Sequence, residues 1–405
     1  MIKPVHQQTA VLFGSQALLL TSNVTFIAVN GLAGAALASN PMLATLPITT
    51  QVLAAALCTY PASVLMSRYG RRFGFTVGCA FGIIGALLAA LAVTIGSLPL
   101  LCLATFLAGT YNAIGGYLRF AAADVAEQYQ PSFKAQAISV VLAGGVLGGI
   151  LGPETAMLTR NLLPTQFAGT YIGLACFGCL AIVLVQLLKL NLPTLTAVET
   201  IPTATQNSPQ ESITVLLSQP KTMAAVVCGA VAYGVMNLLM TATPLAMKVC
   251  GYGFNDTAWV IEWHVIAMFA PGFFTGKLNN RFGVERIMAL GGCLLIVAAV
   301  INIAGTSLWH FWVALVLLGL GWNWMFTGAT TLLTSTYLAT DHAKKARTQG
   351  VNDAIVFGTL VLSSLSSGVL VSSHGWAIMN AAAIPVVLGA MAVLAWYQLK
   401  YKVTS

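Results

Sequence analysis

Twelve runs of about twenty apolar residues follow one another along this chain, and most of the loops between them are short. A hydrocarbon core of about 30 Å takes about twenty residues of helix to cross. Inside it every peptide N–H and C=O must be bonded within the protein, which leaves helices or a closed barrel. The runs lie near 9–35, 43–66, 74–95, 98–121, 136–158, 167–190, 222–247, 256–278, 284–305, 308–333, 350–373 and 376–399. They are too long for barrel strands, so the expected fold is an all-α membrane protein of twelve transmembrane helices. Composition agrees: 7% of residues are charged, against about 25% in soluble domains. The first run is long and has no small-residue cleavage site, so it reads as a retained helix rather than a signal peptide.

The few charges carry much of the remaining information. Ser63 to Arg72 places Arg68, Arg71 and Arg72 together between two apolar runs. Arginine in hydrocarbon is costly, so this is a short aqueous loop. A degraded copy follows at Gly276 to Gly283, with Arg68 and Gly70 recurring 213 residues later as Arg281 and Gly283. At the same separation Gly78 meets Gly291, Lys134 meets Arg347, Gln136 meets Gln349, and Gly145 meets Gly358. The chain is therefore read as two related halves, a six-helix bundle over 1–190 and another over 222–405. Between them 191–221 is rich in Pro, Thr, Ser and Gln and reads as a cytoplasmic linker, with a short surface helix near Glu211 to Ser218. Lys and Arg cluster in the loops on one side. With the amino terminus inside, fifteen face the cytoplasm and Arg160 and Lys248 face out. Both termini are expected in the cytoplasm.

These residues resemble the major facilitator superfamily over nearly the whole chain. Its signature between spans 2 and 3, Gly-x-x-x-Asp-Arg-x-Gly-Arg-Arg, corresponds here to Ser63, Ser67, Arg68, Gly70, Arg71 and Arg72. The basic half is intact, while Ser replaces both the first Gly and the Asp. In the second half Asn280 stands where the Asp would be. The resemblance implies two pseudo-symmetric bundles, a major facilitator fold, with a cytoplasmic latch built from this loop. Arg68, Arg71 and Arg281 are its expected gating cations, with Asp353 or Asp124 supplying the missing carboxylate. Gly148-x-x-x-Gly152-Pro153 in span 5 resembles the glycine–proline motif of proton-driven antiporters, but Ala156 and Met157 replace the Gly pair expected after it. Small residues at that spacing also simply let helices approach closely. Thr105 stands where the family has an arginine early in span 4. Arg119 to Asp124 and Gly321 to Trp324 resemble a bacterial branch related to flavin uptake carriers.

In the resembled family spans 1, 4, 7 and 10 line a central cavity, and uncharged polar stripes fall on those spans. Gln16, Asn23 and Asn30 lie seven apart in span 1, on one helix face. Span 4 offers Tyr111, Asn112 and Tyr117; span 7 offers Tyr233, Asn237 and Thr241; span 10 offers Trp322, Asn323 and Trp324, with Thr327 and Thr331 beyond. Such groups bond between helices or face a polar chamber. Gln51 of span 2 aligns with His264 of span 8 across the repeat, which favours a midplane site. For proton coupling the candidates are His264, Glu262 and Glu154; histidine titrates near pH 6.5. Glu262 and His264, two apart, do not share a helix face. Arg119 can snorkel or pair with Asp124.

No Walker loop, nucleophile elbow or metal-spaced cluster appears, so neither ATP-driven transport nor an enzyme is expected, and no cofactor or metal. Cys176-x-x-Cys179 has no second pair and lies in an apolar run. The net charge of +8 follows the topology rule, with no nucleic-acid partner implied. The expected function is secondary active transport of a small organic, planar or aromatic, weakly charged solute across the inner membrane by alternating access. Proton-coupled uptake of a vitamin- or flavin-like solute, proton-driven efflux and a transporter-like sensor are the readings, in that order. The expected partners are solute, protons and bilayer, with the chain acting as a monomer.

Overall fold

The computed structural model describes residues 4–190, 213–336 and 342–402, and among these every regular element is a helix. In the first half α1 is Pro4–Leu37, α2 Leu46–Tyr69, α3 Arg71–Ile95, α4 Leu98–Gly115, α5 Leu118–Tyr129, α6 Lys134–Thr159 and α7 Ala168–Gln186. Then come α8 Ile213–Ser218, α9 Pro220–Val249, α10 Phe254–Phe269, α11 Gly272–Phe282, α12 Val284–Ala304, α13 Leu308–Thr334, α14 His342–Ser373 and α15 Gly375–Lys402. Among the described residues eleven spans are long and apolar enough to cross a membrane, and the bent pair α10 and α11, counted as one span, brings the number to twelve. The expected fourth span is α4 and α5 together, interrupted at Gly116 and Tyr117. The short helix α8 falls where one was expected; the rest of the linker expectation, 191–212, lies outside the described residues.

The repeat is visible in backbone geometry. A single glycine joins α2 to α3 and another joins α11 to α12: Gly70 with φ 86° and ψ 160°, and Gly283 with φ 89° and ψ 142°. Only glycine occupies this region without strain. The Gly70 N–H donates to the Met66 carbonyl at 2.9 Å and the Gly283 N–H to the Asn279 carbonyl at 3.0 Å. The Gly70 and Gly283 carbonyls accept in turn from Gly74 and Ile287, 213 residues apart. Each of the two loops thus joins its helices through one residue and closes the same two hydrogen bonds.

By packing, the chain separates into two compact units. One comprises Met1–Thr200 with Gly253–Phe269; the other comprises Ile201–Tyr252 with Ala270–Ser405. The segment carrying α10 therefore belongs by repeat to the second half and by contact to the first unit. Within the first unit α1 lies along α6, α4 along both α2 and α3, and α10 against α6. The α1–α6 approach is close because α6 presents Gly144, Gly148 and Gly152, four apart. A Cβ on Gly148 would sit 2.5 Å from Leu20 Cβ and 2.8 Å from the Thr21 nitrogen. Gly145 and Gly149, one step round the helix, face Phe269 and Val265 of α10. The Thr25 hydroxyl donates to the Gly152 carbonyl at 3.0 Å across the same seam. The glycines of the span 5 motif thus serve helix packing. In the second unit α9 lies against α13, α14 and α15, and α12 against α13 and α15. Large exposed side chains such as Leu91, Leu103, Val183, Leu388 and Leu399 form the outer faces, as expected of surfaces turned to acyl chains.

Candidate functional site

In the first unit four of the anticipated polar residues converge. Asn23 of α1, Gln51 of α2, and Tyr111 and Asn112 of α4 line one pocket, together with Ser22 and Phe26. The backbone that carries Gln51 is held tightly. Gly109 of α4 lets the Gln51 carbonyl approach, since a Cβ there would lie 2.1 Å from that oxygen. One residue earlier on α2, the Thr50 and Thr105 hydroxyls bond at 2.8 Å. Thr105, standing where the resembled family has an arginine, is thus used to tie α4 to α2. The Gln51 side chain is 4% exposed, and its Nε2 donates to Asn23 Oδ1 at 2.9 Å. Its Oε1 is buried and accepts from no donor among the described residues. Phe26 and Tyr111 add aromatic surface, and Phe26 lies 5.8 Å from Tyr171, centroid to centroid.

The rest of the span 1 stripe goes elsewhere. Asn30 is fully buried and accepts from the Tyr171 hydroxyl at 2.8 Å. Gln16 is buried where α1 meets Gly144 of α6. Tyr117 donates to the Thr59 carbonyl at 2.9 Å. Spacing by seven put three amides in line, and their partners then separated them. Ser22 and Phe26, which the polar-residue search passed over, share the α1 face of Asn23, and their proximity in sequence was the available signal.

The second unit is aromatic where the first is amide-rich. Tyr233 of α9 lies 5.3 Å from Trp322 and 5.0 Å from Phe326 of α13, and these two rings stack at 5.3 Å with an 11° tilt. Beside them Asn323 Oδ1 accepts from the Thr275 hydroxyl of α11 at 2.7 Å. Asn237 is bound to α14, donating to Ser363 Oγ at 2.9 Å and to the Leu360 carbonyl at 3.3 Å. The Thr241 hydroxyl and the Trp324 indole N–H are buried without a hydrogen-bond partner among the described residues. The Asn302–Asn380 bond of 2.9 Å between α12 and α15 was not anticipated; neither residue falls in a polar stripe.

Of the titratable candidates, His264 is fully buried in α10, Glu262 is half-buried and Glu154 is exposed. Glu154 and Glu262 are within electrostatic reach of each other. At the loop between spans 2 and 3, Arg71 Nε meets Asp124 Oδ2 at 2.8 Å, joining the start of α3 to α5. The Arg71 guanidinium also stands 6.0 Å from the Tyr117 ring centre. Asp124 is therefore the carboxylate that Arg71 uses. The expected alternative pairing of Asp124 with Arg119 does not form: Arg119 is exposed and lies over the Phe120 ring at 4.8 Å. Arg72 binds Gln186 instead, through Nε and Nη2 at 2.9 and 2.7 Å. Arg68 is exposed, Arg281 lies over the Phe282 ring at 5.2 Å, and Asp353 is exposed on α14, accepting from Asn352 at 3.1 Å. Among the described residues no group of histidine, cysteine and acidic side chains could hold a metal.

Comparison with known proteins places this arrangement. The chain is 38% identical over 383 residues to the riboflavin transporter RfnT of Brucella anthropi, covering 94% of this chain and 93% of that one. It is 30% identical over 344 residues to the uncharacterized MFS-type transporter YddS of Bacillus subtilis, covering 82% and 77%. The crystal structure of the nucleoside transporter NupG superposes with a TM-score of 0.73 over 97% of this chain and 99% of that one, at 9% identity, a likeness of fold. The family model of the Major Facilitator Superfamily matches residues 12–339. A multi-pass helical chain with this loop signature, this repeat and these relatives belongs to the Major Facilitator Superfamily: it is a membrane transporter of a small-molecule solute, not an enzyme.

Proposed function

We propose that this protein takes up a flavin-type solute, riboflavin or a close analogue, across a bacterial inner membrane. The observation that carries the reading is the 38% identity to a riboflavin transporter across 94% of the chain. The chemistry of the polar groups supports it. A flavin is planar and heteroaromatic, with a polar edge and no fixed multiple charge. The first unit offers amides beside Phe26 and Tyr111. A multiply charged phosphate ester would call for arginines or lysines, and none lines the amide pocket.

Transport is driven by protons in this reading, with Glu154, Glu262 and His264 as carriers and Arg68, Arg71, Asp124, Arg281 and Asp353 as gating residues. The halves that move are the two repeats, 1–190 and 222–405, with both termini cytoplasmic and a single chain sufficient. Solute and proton shift the equilibrium between facing states only through their differential affinity for them. The test is accumulation of radiolabelled riboflavin by a riboflavin-auxotrophic bacterium expressing the chain. Accumulation above the empty-vector control, abolished by a protonophore, is expected. Absence of accumulation refutes the solute assignment, and uptake confined to inverted vesicles reverses the direction to efflux.

A further inference from the structure

The Gln51 carboxamide is used on one side only. Its Nε2 is spent on Asn23, and its Oε1 is buried without a donor among the described residues. Leaving such an acceptor unbonded costs about 1–3 kcal/mol, and the tight backbone seat on Gly109 restricts how far Gln51 can turn away. Asn23 and Asn112, which line the same pocket, each carry an amide N–H₂ that can donate. The lining thus combines one unbonded acceptor with two side chains able to donate.

The complement of an acceptor among donors is a cyclic imide, in which a ring N–H lies between two carbonyls. We infer that Gln51 is the specificity-determining residue of this carrier: its Oε1 accepts the N–H of a cyclic imide edge, and the amides of Asn23 and Asn112 donate to the carbonyls on either side. Phe26 and Tyr111 border the ring. The inference rests on the flavin reading, since the pyrimidine-like ring of an isoalloxazine carries such an edge. A site built around one buried acceptor discriminates against any ring whose N–H has been replaced, because the analogue leaves the acceptor unbonded.

The experiment edits the ligand and the protein separately. Initial uptake is measured in proteoliposomes for riboflavin and for riboflavin methylated at N3, which keeps the ring but removes the N–H. In the unaltered protein, methylation lowers kcat/KM about tenfold or more. In Gln51→Leu, riboflavin falls by a similar factor and the ratio between the two solutes collapses toward one. Equal kcat/KM for the two solutes in the unaltered protein overturns the inference while leaving flavin transport standing. So does a ratio that survives in Gln51→Leu. Failure of riboflavin to be transported at all removes the flavin reading and this inference with it. The comparison within the unaltered protein decides the matter even if the variant does not fold.

Discussion

The ion pair between Arg71 and Asp124 has a predictable strength. The two side chains are 20% and 21% exposed and meet at 2.8 Å. Unit charges about 4 Å apart attract by ~4 kcal/mol at an effective dielectric constant of ~20. Partial burial sets a desolvation cost against that attraction, and water screens what remains. Exposed pairs yield ~0–1 kcal/mol, whereas breaking a fully buried pair costs ~3–5 kcal/mol. A pair four-fifths buried falls between, so Asp124→Ala is expected to destabilise by about 2 kcal/mol. Arg71 opens α3, where the helix dipole disfavours a cation, and losing Asp124 leaves that conflict uncompensated. The assay is a double-mutant cycle on detergent-purified protein, comparing unfolding of Arg71→Ala, Asp124→Ala and the double variant at one scan rate. The expected coupling is about 1–2 kcal/mol, so the double variant loses less than the sum of the singles. Additivity within ~0.5 kcal/mol, the behaviour of independent sites, would refute the reasoning.

Gly70→Ala and Gly283→Ala are expected to cost about 1–3 kcal/mol each, and nearly the same amount, because both glycines hold positive φ in matching loops; thermal unfolding of the two variants checks the match. Gly148→Ala should separate α1 from α6 and cost about 1–3 kcal/mol, visible as a lowered unfolding temperature, while any riboflavin uptake that remains keeps its protonophore sensitivity. Tyr171→Phe leaves Asn30 Oδ1 without its donor and should cost about 1–3 kcal/mol, read as thermal destabilisation at an unchanged KM for riboflavin. His264→Gln tests the proton assignment: if histidine carries the proton, the pH dependence of uptake flattens, and an unchanged profile removes it from the mechanism.

The fold was legible to the extent that lipid dictates it. Runs of twenty apolar residues have only one way to satisfy their peptide groups, so the spans appear where hydropathy places them. The breaks within them were harder to see. Span 4 is interrupted at Gly116 and Tyr117 and span 8 between Phe269 and Gly272, yet both stretches remain apolar enough to be read as continuous. The same limit applies to the polar residues. Asn23 and Asn30 have identical chemistry and regular spacing in sequence, but one meets Gln51 in a pocket and the other is bonded to Tyr171 inside the bundle. Which neighbour an amide finds depends on helix rotation and tilt, and neither is encoded in a span's own periodicity. Arg71 illustrates the converse. Its loop lacks the usual acidic residue, and Asp124, more than fifty positions away, supplies the charge.

The repeat is kept where backbone geometry requires it and lost among the polar residues of the first unit's pocket. Gly70 and Gly283 share φ, ψ and the same two hydrogen bonds across 213 residues. At that separation Asn23 corresponds to Met236, Tyr111 to Trp324, Asn112 to Met325 and Gln51 to His264. The tight turn, where a side chain would strain the chain, keeps its glycine in both halves, while these pocket-lining positions differ between them. The two units therefore share a turn geometry but not the same side chains, the first carrying amides around Gln51 and the second stacked rings around Trp322. On the flavin reading, uptake should respond to Gln51→Leu by losing its discrimination among ring edges, and to Trp322→Ala by losing affinity for planar solutes alike.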